Sequence, residues 1–351
     1  MVCITHTQYK VMINDILGTE NSDRLFSTDG DDNIEALGGN DTIVGSVGDD
    51  TLNGGAGFDT VDFSQSGVPV TILPMGVFDN GSQGILVRAE RIIGATSQPN
   101  TIDAAAVSGD AAFNLNLDRR QLSIINLPPE IGTQNFEVRN FVNVNGTPND
   151  DLIIGDNKDN TFDGGGGQDF LDGRSGNDLL FGSDGNDTLL GGNDLDTLNG
   201  GIGNDTLNGG SGNDELSSGE GDDALFGGND NDLLDSGLGD DSLLGGSGND
   251  QLLGFDGDDT LNGGSDRDTL EGGVGNDILI GGSSSDVFVL SAGAGTDTIT
   301  DFERDNDSIA LSGGISFNDL SFSGSDINFG SETIATFNRF DATTLAAGDF
   351  V

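Results

Sequence analysis

The chain has 351 residues, with 61 acids against 12 bases for a formal charge of -49, and it carries 59 glycines, one cysteine, one histidine and no tryptophan. Such a field repels phosphate, which argues against nucleic acid or an anionic membrane as the main partner and makes cations the natural one. High charge with so much glycine would ordinarily leave a chain disordered, so stability must come from something beyond apolar burial.

Residues 1–17, "MVCITHTQYKVMINDIL", read as an N-terminal tail. They lack a continuous apolar core of signal-peptide length, and no window of the chain is apolar enough to span a bilayer. A soluble protein is expected, exported, if at all, without an N-terminal signal peptide. Met12 is an alternative start. Cys3 has no partner for an internal disulfide.

A nine-residue period begins at residue 18: "GTENSDRLF", "STDGDDNIE", "ALGGNDTIV", "GSVGDDTLN" and "GGAGFDTVD" run to residue 62. The sixth position is acidic in every unit, at Asp23, Asp32, Asp41, Asp50 and Asp59. Residues 63–145 break the period and are nearly neutral, with Arg88, Arg91, Arg119, Arg120 and Arg139 among them. Alternating runs such as "PVTIL", "FNLNL" and "FEVRNFVNV" predict half-buried strands. This stretch reads as an inserted β-rich segment that lacks the repeated acids, or as a recognition module for a surface glycan or protein.

Two weak units follow, "GTPNDDLII" with Asp151 and "GDNKDNTFD" with Asn160 in the acidic position. From Gly164 to Val289 the period then holds without insertion for fourteen units. Their sixth positions are Asp169, Asp178, Asp187, Asp196, Asp205, Asp214, Asp223, Asp232, Asp241, Asp250, Asp259, Asp268, Asp277 and Asp286. The eighth position is leucine from Leu171 to Leu279 and Phe288 at the end, and the first is glycine except at Ser218 and Ser236.

Glycines at positions one, two and four supply backbone with positive φ, so the first six residues are expected to form a turn. The next three, such as Thr206, Leu207 and Asn208, point out, in and out as one short strand. One leucine per unit stabilises nothing alone. Units must therefore stack, two to a coil of eighteen residues, with leucines inside and aspartates along two edges. Like charges stacked at ~4.8 Å require a cation between them. Carboxylate and carbonyl oxygens suit calcium better than magnesium, which demands a tight octahedron, or zinc, which prefers nitrogen and sulfur. Residues 164 to 289 carry a net charge of -25, which about twelve calcium ions between successive coils would nearly cancel.

The unit matches G-G-x-G-x-D-x-U-x, and on these residues the chain resembles the RTX (repeats-in-toxin), haemolysin-type calcium-binding repeat proteins. The resemblance implies a parallel β-roll in which the sixth-position aspartates named above, from Asp23 to Asp286, bind calcium. It also implies type I secretion with an uncleaved C-terminal signal. Residues 290–351 resemble the cap and acid-plus-hydrophobic ending ("LAAGDFV") of such substrates.

The expected fold is thus all-β: a β-solenoid with a first roll block at 18–62, the β-rich interruption at 63–145, a main roll at 146–289 and a C-terminal β cap. Ser284, in place of the fourth-position glycine, is expected to end the calcium ladder, and Asn160 to begin it. Asp194, Asp230 and Asp266 also replace that glycine, thirty-six residues apart on one edge. There is no HExxH and no G-x-S-x-G, and the sole histidine, His6, lies in the tail, so no enzyme is expected. The function expected is calcium binding coupled to folding, in a secreted or cell-surface structural or adhesive protein. The alternatives are an intracellular calcium buffer and a calcium-stabilised carrier of a carbohydrate-active or binding module at 63–145.

Overall fold

A computed structural model describes residues 14–46, 50–65, 71–74, 85–88, 91–93, 100–103, 112–125, 134–139 and 141–351. Expectations for Cys3, His6, Met12 and parts of 63–145 fall outside these residues. The chain divides into two compact units, Met1–Thr147 and Pro148–Val351.

In the first unit, strands Asn14–Thr19, Asp32–Leu37 and Thr51–Asn53 pair in parallel as one ladder. Arg24–Phe26, Thr42–Val44 and Thr60–Asp62 form a second. Partners lie eighteen residues apart, as in Ile16 with Ile34 and Leu25 with Ile43, so each coil gives one strand to each ladder. Ile34, Ile43, Leu52 and Val61 are fully buried between them.

Strands continue where the nine-residue period stops. Thr60–Asp62 pairs with Arg91–Ile93, and that strand with Gln134–Arg139. Thr51–Asn53 pairs with Ile85–Arg88, followed in space by Thr71–Pro74, Asn100–Asp103 and Phe141–Asn145, all parallel. The ladder therefore reverses chain order once, because Ile85–Arg88 lies between Thr51–Asn53 and the earlier Thr71–Pro74. Ala112–Asn116, Gln121–Ile125 and Gln134–Arg139 form an antiparallel meander.

The second unit is the main roll. Strands recur every nine residues, from Thr161–Gly166 through Thr206–Ser211 to Ile278–Ser283, and each as far as Thr269–Val274 pairs in parallel with the strand eighteen residues on. Successive units alternate between two sheets. The eighth-position side chains, Leu171 to Leu279 and Phe288, are each at most 1% exposed. Burying one such group stabilises the roll by about 1.5–3 kcal/mol, and stacking is what excludes water from it.

The strands are longer than the sequence reading gives. Thr206–Ser211 covers positions seven to nine and the first three residues of the next unit, so the turn shrinks to positions four to six. The reason is that an exact eighteen-residue repeat keeps N–H and C=O groups in register even where φ is positive. Gly210, at φ +105, pairs with Gly228 at +115.

A cap closes the unit. Asp297–Ile299 pairs with Ile278–Ser283 on one side and Glu332–Phe337 on the other. The meander Leu320–Ser323, Asp326–Phe329 and Glu332–Phe337 follows. Phe302 lies 6.1 Å from Phe288, 5.1 Å from Phe337 and 5.2 Å from Phe340, so an aromatic cluster seals the end of the leucine column.

Candidate metal centre

Each sixth-position aspartate sits where a turn re-enters a strand, and its main chain and side chain both bind the neighbouring coil. Thr206 N–H donates to the Asp187 carbonyl at 2.8 Å. Asp187 N–H donates to Asp205 Oδ1 and Asp205 N–H to Asp223 Oδ1, each at 2.7 Å. Repetition of this bond links Asp151, Asp169, Asp187, Asp205, Asp223, Asp241, Asp259 and Asp277 into one stack. Asn160, Asp178, Asp196, Asp214, Asp232, Asp250, Asp268 and Asp286 form the other. In the first unit Asp23 is linked to Asp41 and Asp41 to Asp59, with Asp32 linked to Asp50. Every predicted aspartate is buried except Asp23, which is half-buried.

The second carboxylate oxygen is the unusual one. From Asp169 to Asp277, Oδ2 of every sixth-position aspartate is buried without a hydrogen-bond partner, as are Asp41 Oδ2, Asp50 Oδ2 and Asp32 Oδ1. A buried, unpaired carboxylate oxygen is costly, and here the cost recurs coil after coil. Burial pushes Asp169 up to about 8. It takes Asp178, Asp196, Asp205, Asp232, Asp259 and Asp268 to about 7, with the N–H of the preceding coil opposing the rise and neighbouring aspartates adding to it.

First-position glycines keep carbon away from these oxygens. A Cβ on Gly227 would lie 2.5 Å from Asp232 Oδ2 and 2.7 Å from the Gly245 carbonyl oxygen of the next coil. The strand pairing skips this position, Gly209 and Gly227 being passed over between Asn208–Phe226 and Gly210–Gly228. A carboxylate oxygen and a main-chain carbonyl thus converge on one small space per coil. Among the described residues no three His, Cys, Asp or Glu side chains come together as a metal cluster, so a cation here draws on carbonyls as well as carboxylates. An all-oxygen, mixed set of this kind fits calcium.

The hydrogen-bonded aspartate stacks continue past Ser284, where the bare carboxylate oxygens do not: Asp277 N–H donates to Asp297 Oδ1 at 3.4 Å and Asp286 N–H to Asp307 Oδ1 at 3.1 Å, and both new aspartates are buried. "GTDTI" at 295–299 and "DNDSI" at 305–309 keep the tail of the repeat, but insertions hide them from a strict period. The loop absorbs the extra residues while the aspartate and the following apolar residue, Ile299 or Ile309, stay in place. At the other end, the stack of Asp151 begins alongside that of Asn160, whose N–H donates to Asp178 Oδ1 at 2.7 Å. Asp194, Asp230 and Asp266 are exposed, with φ of 77°, 73° and 78°, so they adopt the glycine conformation of the turn without joining the buried stacks.

The sequence profile described as "RTX calcium-binding nonapeptide repeat (4 copies)" matches residues 26–61, 145–180, 181–216, 217–252 and 253–288. No curated protein matches the chain. Among solved structures it is similar to the extracellular lipase LipA from Serratia marcescens, at 19% identity and a TM-score of 0.29, over 57% of this chain and 40% of that one. The chain thus spans less than half of that lipase's length.

Proposed function

Because the chain belongs to the RTX calcium-binding nonapeptide repeat family, we propose that calcium binds along its aspartate stacks and drives the folding of a secreted or cell-surface structural or adhesive protein. The observation that carries this reading is the unbroken series of bare, buried carboxylate oxygens from Asp169 to Asp277. The ligands are the sixth-position aspartates of both units, with main-chain carbonyls of the adjoining coil. In a calcium-poor cytosol the carboxylates repel one another and the repeats stay extended; outside, binding supplies the folding free energy. The stretch 63–145 serves as a calcium-free spacer between the two blocks.

Equilibrium dialysis of the full chain against radiocalcium tests the binding. Several ions per chain, not displaced by equimolar magnesium, are expected; no retention of calcium would refute the reading. Export is tested separately, by co-expression with a type I secretion system with residues 290–351 kept or deleted. Release into the medium only when they are kept is expected, and retention in both cases would exclude the secreted role.

A further inference from the structure

Two coils of the main roll break the glycine rule at the site itself. Ser218 and Ser236 hold the first position in units eighteen residues apart, on the stack that contains Asp205, Asp223, Asp241 and Asp259, and both are fully buried. In a neighbouring coil of this stack the same place is too tight for carbon: a Cβ on Gly200 would lie 2.3 Å from Asp205 Oδ2 and 2.8 Å from the Ser218 carbonyl oxygen, distances suited to an oxygen-bound cation. In the serine coils a side chain takes that place. Ser218 Oγ donates to the Ser236 carbonyl at 2.8 Å, and Ser236 Oγ to the Gly254 carbonyl at 2.9 Å. Each hydroxyl therefore occupies the volume, and bonds the carbonyl oxygen, that the glycine coils leave beside their carboxylate.

The hydroxyls also lie beside Asp223 and Asp241, where they oppose part of the upward push that burial exerts on those carboxyls. Each hydroxyl has one proton to share between a carbonyl and a carboxylate, and Ser236 also reaches the Leu253 carbonyl at 3.3 Å. Bonded to the carbonyl, it leaves Asp223 Oδ2 and Asp241 Oδ2 without a direct bond; rotated, it serves the carboxylate. Either way a cation entering the coil would have to displace a side chain that is already fully packed.

Resting on the calcium reading above, we infer that the Ser218 and Ser236 hydroxyls take the place of a cation in two successive coils of one stack. The main roll then contains a central stretch whose first-position space needs no calcium, flanked on the same stack by glycine coils that do. The two stacks differ in consequence, because the other has glycine at position one in every unit from Gly173 to Gly281.

The test is a count of bound ions by native mass spectrometry in saturating calcium, on the full chain and on the variant Ser218→Gly/Ser236→Gly. One additional ion is expected for each serine replaced. Hydrogen exchange in chelator gives a second readout, with protection across residues 215–244 expected to fall in the variant. Ser218→Ala/Ser236→Ala, which keeps Cβ and removes the hydroxyl, should bind no more ions than the parent. Equal or smaller ion counts in the glycine variant would overturn the inference, since the hydroxyls would then be bystanders or ligands. A parent chain that binds no calcium would overturn the calcium reading as well, and so is distinguishable.

Discussion

A carboxylate with one oxygen bonded and the other bare, repeated along a stack, is tolerable in three ways: protonated, neutralised by substitution, or bound to a cation. Asp205→Asn separates them. The amide oxygen can still accept from Asp187 N–H while the buried charge is gone, so the calcium-free variant should resist urea better than the parent, and the calcium-saturated variant less well. Urea midpoints in both conditions check this. Proton linkage points the same way. The folded, calcium-free Asp205 and Asp232 sit at about 7 against an ordinary 3.8, so the folded chain binds more protons than the unfolded one. Its stability without calcium is greatest below about pH 4 and falls as pH rises through about 7. Calcium-free protein should therefore show more β structure at pH 5 than at pH 8, while calcium affinity shows the opposite trend. These aspartates were legible in the sequence because nothing interrupts their period. Asp297 and Asp307 were not, since a loop can lengthen without moving the bond that fixes the aspartate.

Within a single coil, turn and strand depend on one another through glycine. Gly227→Ala places a Cβ against Asp232 Oδ2 and the Gly245 carbonyl. A cost of about 1–3 kcal/mol is expected from overpacking, together with loss of an ion from that coil, as measured by calcium-dependent thermal unfolding. Leu207→Ala acts on the other face. It empties a fully buried position and should destabilise the calcium-loaded roll by about 2–5 kcal/mol without changing the number of ions bound. The leucine column could be read from the sequence as the inward member of each short strand. The strand's continuation through positions one to three could not, because glycine in isolation signals a turn; only the stacking of identical coils makes a paired strand of it. The reversed order of Ile85–Arg88 and Thr71–Pro74 was equally hidden. Alternation identifies a strand but carries no information on which coil it joins.

For the whole molecule, net charge and apolar content set the energetic problem that calcium solves. The chain's charge of -49 opposes compaction, and one leucine per nine residues is a thin core. Each site held at calcium ~10 times its dissociation constant contributes roughly 1.4 kcal/mol, so about a dozen are enough to decide folding against a typical net stability of ~5–15 kcal/mol. The described part of the structure has no helix long and apolar enough to cross a membrane. The most direct measurement is far-UV circular dichroism of the full chain, titrated from excess chelator to ~10 mM calcium, the range of weak extracellular sites, with magnesium as control. A cooperative change from coil to β structure is expected with calcium and none with magnesium. A β spectrum already complete in chelator would contradict it, because the leucine column would then fold the roll without help from the ions.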